Sequence, residues 1–445
     1  MVRCCTVLPR NAPAWLDRLD TWLAQFEECF GHVAQRGAFH RYLCGLLSDS
    51  RRKSMSAMLA RVTDPGTYQA FQHFITDAPW DSARVWRRLL TVAPERRGVL
   101  ILDDTGFPKQ GTHSVGVARQ YSGTLGKIAN CQIAVTAALW TGVRGWLLGA
   151  ELYLPATWLT PDQRTRARIP RTVQFQEKWR LALTLIRRIR ATGIQIELVT
   201  ADAGYGDAHA FRTAIDRLGL AYMVGVSSSL TGWLGRPEVL PPPPQPRGGR
   251  PRTKAVLGPP RPVSIATWAA AQPRRAWQRV TWRNGAHRPW AAQFVPLRIT
   301  PAVVWRRKQT LEPVWLLCQR PLGAVGPSRE DKYFLSNLPA TTSLRALVQA
   351  AHQRWAIEQQ YQELKDELGL DHFEGRSFVG WHRHVVLTAI AYAWLQHERR
   401  RTRARLPTLP VARAVITEIL TAHFFVTHPH YLDTMIKLRE KTLRI

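Results

Sequence analysis

The sequence predicts a mixed α/β fold, and three observations carry that expectation. Apolar runs of strand length, Gly98-Val-Leu-Ile-Leu-Asp103 and Ile194–Thr200, lead straight into acids. Helical periodicity alternates with such runs through the middle of the chain, over Gln174–Arg190 and Ala208–Leu218. A Trp-rich, β-branched stretch then follows a linker dense in Pro, Arg and Gly, as an inserted β subdomain would.

The 445 residues suffice for two or three domains. Hydrophobic residues at 45% and aromatics at 9% exclude a disordered chain. Lys and Arg number 62 against 32 Asp and Glu, a net charge of +30. That balance suits a polyphosphate partner, because basic side chains on backbone phosphates release condensed counterions. An arginine-rich, high-GC genome produces the same excess without any such partner. Cys4, Cys5, Cys29, Cys44, Cys131 and Cys318 show no CxxC pair, so they read as free thiols in a reducing compartment. The N-terminus lacks the apolar core of a signal peptide, and Val385–Leu395 is apolar but too short to span a bilayer. The expectation is a soluble protein of the cytoplasm, associated with the nucleoid and not with a membrane.

Residues 1–95 read as a helical domain, with apolar positions at helical spacing in Ala14–Cys29, Phe39–Leu47, Tyr68–Ile75 and Ser82–Leu90. Its basic edges, including Arg51-Arg52-Lys53, suit DNA-end binding or a solvated surface equally. Residues 96–230 and 338–400 read as one core. Strands are expected at Gly98–Asp103, Gln132–Trp140, Trp146–Leu154, Ile194–Thr200 and Ala221–Val226. The first three have short connections and suggest an antiparallel meander, whereas the later ones alternate with helices. That order matches a ribonuclease H-like mixed sheet with flanking helices. Residues 231–337 form the basic, Pro/Trp-rich β insertion, with no Asp or Glu between Glu238 and Glu312. Its tryptophans fit a core, while their interleaving with arginines also fits a surface that packs on nucleic acid. Thr341, Thr342 or Ser343 offers the N-cap of one long helix running to about Leu368, stopped by Gly369. A second apolar helix covers Trp381–Gln396, and residues 401–445 form a basic helical tail with a helix near Val411–Phe425.

Three acids stand out by position: Asp103, with Asp104 beside it, ends the first strand; Asp202 ends the fourth; Glu358 lies on the helix after the insertion. In a sheet of this order the first and fourth strands are neighbours, so their tips would bring two carboxylates together, with a helix adding the third. An all-carboxylate set without Cys or His is a hard-oxygen site, suited to Mg2+ or Mn2+. Two such ions can activate a hydroxyl and stabilise a departing phosphodiester oxygen. Each acid also has a purely structural reading. Asp104 before Thr105-Gly106, and Asp202 before Gly204, are ordinary turn formers. On the helix, Arg354, Glu358, Tyr361 and Lys365 fall within about 60° of one another at 100° per residue, which fits either a salt-bridge ladder or a metal-binding Glu flanked by phosphate-gripping cations.

The blocks Ile101-Leu-Asp-Asp-Thr-Gly-Phe-Pro-Lys-Gln-Gly111, Thr200-Ala-Asp-Ala-Gly-Tyr-Gly206 and Arg354-Trp-Ala-Ile-Glu-Gln-Gln-Tyr-Gln-Glu-Leu-Lys365 resemble those of bacterial insertion-sequence DDE transposases. The similar group carries its third acid in a Tyr-x2-Arg-x3-Glu-x6-Lys helix signature. Glu367–Ser377, Gly380-Trp-His-Arg-His384 and Phe74–Trp80 resemble it as well, so the likeness runs from about residue 40 to 395.

The resemblance implies a ribonuclease H-like core interrupted by a β-rich insertion, with metal binding by Asp103, Asp202 and Glu358 and Asp104 as substitute for Asp103. It implies phosphate contacts from Arg354 and Lys365, with Tyr361 and Lys109 as further DNA-binding residues. It also implies two Mg2+ or Mn2+ ions, cleavage at mobile-element ends with strand transfer into target DNA, and a homodimer holding terminal inverted repeats. One departure is plain: the signature's Tyr falls on Ala351. A ribonuclease H-like nuclease without strand transfer, and an inactive DNA-binding protein, are the alternative readings.

Overall fold

The computed structural model describes residues 12–62, 67–123, 125–242, 255–284, 289–303, 312–324, 326–328, 330–401 and 408–432. Cys4, Cys5, Trp305, residues 243–254 of the proline-rich linker and the basic run 402–407 lie outside them. In chain order the helices α1 (Ala12–Ala24), α2 (Val33–Leu47), α3 (Met55–Leu59), α4 (Tyr68–Thr76) and α5 (Ser82–Val92) come first. Then follow β1 (Arg97–Pro108), β2 (Ala118–Ser122), β3 (Lys127–Trp140), β4 (Gly145–Tyr153), α6 (Pro161–Ala167), α7 (Lys178–Ala191), β5 (Gln195–Ala201), α8 (Ala203–Gly206), α9 (His209–Arg217) and β6 (Tyr222–Val226). The insertion holds β7 (Thr231–Leu234), β8 (Val239–Leu240), β9 (Val256–Leu257), β10 (Val263–Ser264), α10 (Ile265–Ala270), β11 (Gln278–Asn284), β12 (Pro289–Pro301), β13 (Val314–Arg320) and β14 (Lys332–Ser336). Helices α11 (Leu344–His352), α12 (Ala356–Gln362), α13 (Phe378–Arg401) and α14 (Leu409–Thr427) complete the order. The expected mixed α/β class is borne out.

The chain divides into two compact units, one of Met1–Arg97, Asp103–Gln195 and Ala356–Ile445, the other of Gly98–Leu102 and Ile196–Trp355. In the first unit β3 is the organising strand. Its Lys127–Cys131 half pairs antiparallel with β2, and its Ile133–Trp140 half with β4. Helix α7 packs on β3 and β4 with Ala182, Leu183, Leu185, Ile186 and Ile189 buried. Helix α13 is buried almost continuously from Gly380 to Gln396, because α2, α4, α5, α14 and β4 all pack on it. That explains an apolar sequence without a polar face. Asp81 caps α5 by accepting from the Ala83 amide at 2.8 Å.

In the second unit the strand order is β10-β7-β12-β13-β14-β6-β5, followed by the first residues of β1, with β11 on the other side of β12. Strands β5 and β6 run parallel, and β6 to β14 and β14 to β13 are antiparallel. The insertion is therefore a β sheet with a real core: Trp233, Trp277, Phe294 and Ile299 are buried, whereas Trp290 is exposed.

Three expectations need correction. Strand β1 does not end at Asp103; it continues to Pro108, with Thr105, Gly106 and Phe107 buried, because Thr and Phe favour a pleated, half-buried surface. The single helix expected from about 341 to 368 is four pieces: α11, a 3-10 turn over Gln353–Trp355, α12, and a π-helical turn over Glu363–Glu367. The Ser343 cap is present, accepting from the Ala346 amide at 3.3 Å. No stretch of spanning length was expected, Val385–Leu395 being too short, but α14 by length and composition alone suffices to cross a bilayer. Yet α14 packs on α1, α2 and α13 and buries Leu409, Ala412, Ile416, Ile419 and Phe424, while Val411, Val415 and Val426 are exposed.

Candidate functional site

Asp103 sits in the middle of β1 with 8% of its surface exposed, and Asp104 follows on the opposite face. The Asp104 carboxylate accepts from the Lys178 ammonium at the start of α7, so this acid has a structural partner. The Asp103 carboxylate accepts from the Asp104 amide at 2.9 Å, and its carbonyl from the Thr136 hydroxyl of β3 at 3.4 Å. Alternation along the strand thus separates the two acids as expected.

Helix α12 docks on the same strands. Tyr361 and Thr136 share a hydroxyl–hydroxyl hydrogen bond of 2.5 Å, which joins the helix to the Asp103 backbone through Thr136. The Lys365 ammonium donates to the Gly106 carbonyl at 3.0 Å and lies 5.6 Å from the Phe107 ring. Burial pulls its pKa below the ordinary lysine range, opposed by Asp371 and Asp366. Because Lys365 lies in a π turn, with more residues per turn than an α-helix, it does not continue the α-helical line from Glu358. Glu358 is exposed on the first turn of α12. Lys109, past the end of β1, donates to the carbonyls of Asp371 and Phe373 at 3.0 and 2.8 Å. Burial lowers its pKa too. Asp103, Glu358, Tyr361, Lys365 and Lys109 therefore all belong to the first unit; Asp202 and Arg354 belong to the second.

Asp202 follows β5 and opens the short helix α8. Its carbonyl accepts from the amides of Tyr205 and Gly206 at 3.2 and 2.8 Å, so the backbone turns at once. The turn is pressed against β6: a Cβ on Gly206 would lie 1.8 Å from the Gly225 carbonyl oxygen, so only glycine fits there. Arg212 of α9, 3% exposed, donates to the Gly206 carbonyl and holds the turn from the other side. The Asp202 side chain makes no capping bond, and its Oδ1 is a buried acceptor without a hydrogen-bond partner. An unsatisfied buried carboxylate oxygen costs about 1–3 kcal/mol or more unless a ligand takes it up. This oxygen is a hard donor of the kind a divalent cation takes up, and in the first unit the buried Asp103 carboxyl is a hard donor of the same kind. Among the described residues no three His, Cys, Asp or Glu side chains already form a group able to hold a metal ion.

The sequence did not single out the aromatic–cation cluster beside Arg354. Arg283 of β11 lies 4.2 Å from the Trp355 ring and 5.9 Å from that of Trp290, and the two tryptophans meet edge to face at 5.6 Å. Nearby, Trp282 stacks on His352 at 3.8 Å. The adjacency of Trp355 to Arg354 was the available signal. Ala351, at the signature's Tyr position, is 8% exposed on α11. Lys178 and Thr136 were also missed, and nothing in their sequence neighbourhood marks them.

Comparison with known proteins gives two findings. The family described as DDE superfamily endonuclease matches residues 25–289, a span that includes Asp103 and Asp202 but not Glu358. A protein of Microchaete diplosiphon named "Probable transposase for insertion sequence element IS701" is 31% identical over 229 residues, 50% of this chain. The chain spans 57% of that relative's length.

Proposed function

Given that this chain belongs to the DDE superfamily endonucleases, we propose that it is an insertion-sequence transposase that cleaves DNA at mobile-element ends and joins the freed ends to target DNA. The observation that carries the reading is the buried, unpartnered Asp202 oxygen on a turn fixed by Gly206 and Arg212, within the segment the family matches. Asp103, Asp202 and Glu358 would hold the divalent cations, with Mg2+ or Mn2+ in two positions. When bound, these ions supply charge neutralisation and activation of the attacking hydroxyl.

The chain's own residues do the rest. Asp103 and Asp202 are presented on backbone that neighbouring strands fix, so little reorganisation accompanies binding. Asp104, engaged by Lys178, keeps the opposite face of β1 neutral and leaves Asp103 as the ligand. Arg354 and Lys365 would contact phosphates flanking the cut, and Tyr361 would steady α12 against Thr136 while facing the DNA. Lys109 would act on DNA beside the Asp371–Phe373 loop it anchors. The Arg283, Trp290 and Trp355 cluster offers an aromatic face for an unstacked base. The partner is double-stranded DNA with terminal inverted repeats, held by two copies of the chain at the nucleoid.

The test is cleavage and strand transfer on a linear substrate carrying the element's ends. Asp202→Asn, Asp103→Asn and Glu358→Gln should each lower cleavage about 100- to 1,000-fold, the scale on which removing one charge-stabilising group acts. Asp104→Asn should cost much less. Undiminished cutting by Asp202→Asn would sink the assignment, and cutting without strand transfer would leave a nuclease.

A further inference from the structure

Two cavities of the first unit adjoin each other across the loop Asp371–Ser377. One, of about 530 Å³, is lined by residues that include Tyr68, Arg166, Arg168 and Arg376. The other, of about 510 Å³, is lined by residues that include Arg51, Arg52 and Lys109. His372 and Glu374 line both, so the two are parts of one groove.

The groove's charge is unbalanced in a specific way. Two of its three wall carboxylates are engaged: Asp77 with Arg168, and Glu374 with Arg52. Asp371 stands 3.8 Å from His372 with its Oδ1 buried. Arg51, Arg166 and Arg376 are exposed, and no ion pair or hydrogen bond holds their side chains among the described residues. Three uncompensated guanidiniums therefore face one channel.

Each is carried on backbone that other contacts fix. Phe373 is buried, and the loop curls round its ring so tightly that a Cβ on Gly375 would lie 2.2 Å from the ring carbon Cζ. The Ser377 hydroxyl accepts from the Gly380 amide at 3.0 Å, and Lys109 holds the carbonyls of Asp371 and Phe373. Arg376 is thereby presented from a rigid bend. Arg166 rides on α6, whose C-cap Arg168 adopts the left-handed conformation, φ 52°, and pairs with Asp77 at the end of α4. Arg51 sits between α2 and α3, where the Lys53 amide donates to His372 Nδ1 at 3.0 Å. Fixed cations spread over two adjoining cavities suit an extended polyanion better than a single small anion.

We propose that this groove is a phosphate track for the backbone of duplex DNA, gripped by Arg51, Arg166 and Arg376 and distinct from the acids on β1 and β5. It rests on the reading that the partner is DNA, and adds where one stretch of the duplex is held.

The experiment is equilibrium binding of the full-length chain to a labelled duplex across a salt series, without divalent cations. The Arg51→Gln, Arg166→Gln, Arg376→Gln triple variant should lower the slope of log affinity against log salt by about 2.7, since each phosphate contact contributes about 0.9. A charge-matched control, Arg187→Gln, Arg217→Gln, Arg345→Gln, drawn from exposed arginines elsewhere, should keep the slope within about one unit of the parent. The triple replacement by Lys should retain the parental slope, which separates lost contacts from lost folding. Equal losses in the variant and the control would overturn the track, as would an unchanged slope in the variant. A parent chain that binds no duplex would strike the DNA reading itself, whereas a parent that binds and cuts while the triple variant keeps its slope would sink the track alone.

Discussion

Both units are rich in arginine, and two groups of it, one from each unit, are used in opposite ways. In the second unit Arg320 lies 4.0 Å from the Trp277 ring and pairs with Asp331 at 3.0 Å. Arg298 lies 4.9 Å from Trp315 and donates to the Pro313 carbonyl. In the first unit Arg51, Arg166 and Arg376 are exposed and meet no carboxylate among the described residues. A guanidinium stacked on indole is weakly hydrated and packs as part of a sheet's core. A guanidinium left in water keeps its full reach towards a polyanion. The lesson is that a net charge of +30 is not one footprint. Part of it is internal structure of the insertion, and only the remainder is available to a partner.

The largest expected effect tests the structural half of that contrast. Side chains of Arg320 and Asp331 are 8% and 2% exposed, so Arg320→Met leaves a buried carboxylate without its counter-ion. Breaking such a pair typically destabilises by about 3–5 kcal/mol. Chemical denaturation followed by tryptophan fluorescence should show a loss of that size. The Gln triple variant of the groove should change stability by no more than about 0.5 kcal/mol, as exposed substitutions do. A loss below about 1 kcal/mol for Arg320→Met would erase the distinction.

A second test uses one buried histidine from each unit. His352, stacked on Trp282 with Nδ1 2.8 Å from the Val348 carbonyl, has its pKa lowered by burial to about 4. His384, between the Tyr42 hydroxyl at 2.8 Å and the Gly369 carbonyl at 3.0 Å, is also lowered by burial to about 4. Both are neutral when folded and take up a proton on unfolding below the ordinary histidine value of about 6.5. Their stabilising contribution is therefore complete above about pH 6.5 and lost as pH falls through about 4, to at most roughly 3 kcal/mol each. His352→Phe, which keeps an aromatic partner for Trp282, should flatten the acid limb of the stability profile. An unchanged limb would show that His352 does not carry it.

Much of this was legible beforehand, and the failures have physical causes. Strands β3 to β6 follow from their apolar runs, and helices α4 and α5 from apolar periodicity and their caps, Thr67 and Asp81. Asp103 and Asp202 were found because an acid after an apolar run is unusual. The continuation of β1 past Asp104 was missed because Asp-Asp-Thr-Gly carries a turn composition, and pairing partners override it. The break at Gln353–Trp355 was missed because no Pro or Gly marks it; Arg354 and Trp355 are ordinary helix residues, and the chain passes there from one compact unit to the other. The resemblance marks Lys365 and Lys109 as DNA-binding residues; that both ammonium groups reach backbone carbonyls is not visible in composition.

The smallest expected effect concerns how the groove's walls are held. Arg168 is the non-glycine residue with positive φ among the described residues, at 52°, a conformation that costs an L side chain roughly 1–2 kcal/mol. Arg168→Gly relieves that cost but loosens the unfolded chain and removes an exposed ion pair worth about 0–1 kcal/mol. These changes offset, so stability should move by less than about 1 kcal/mol. Asp77, whose pKa is lowered first by the Thr76 hydroxyl and then by Arg168, stays ionised and is left facing the groove without its cation. Duplex affinity should therefore fall by up to about tenfold, the scale of a single phosphate contact at about 0.1 M salt. Asp77→Asn in the same chain should restore most of it. An affinity loss that Asp77→Asn does not relieve would show that Arg168 itself grips the backbone, and would move the boundary between the arginines that build the walls and those that bind.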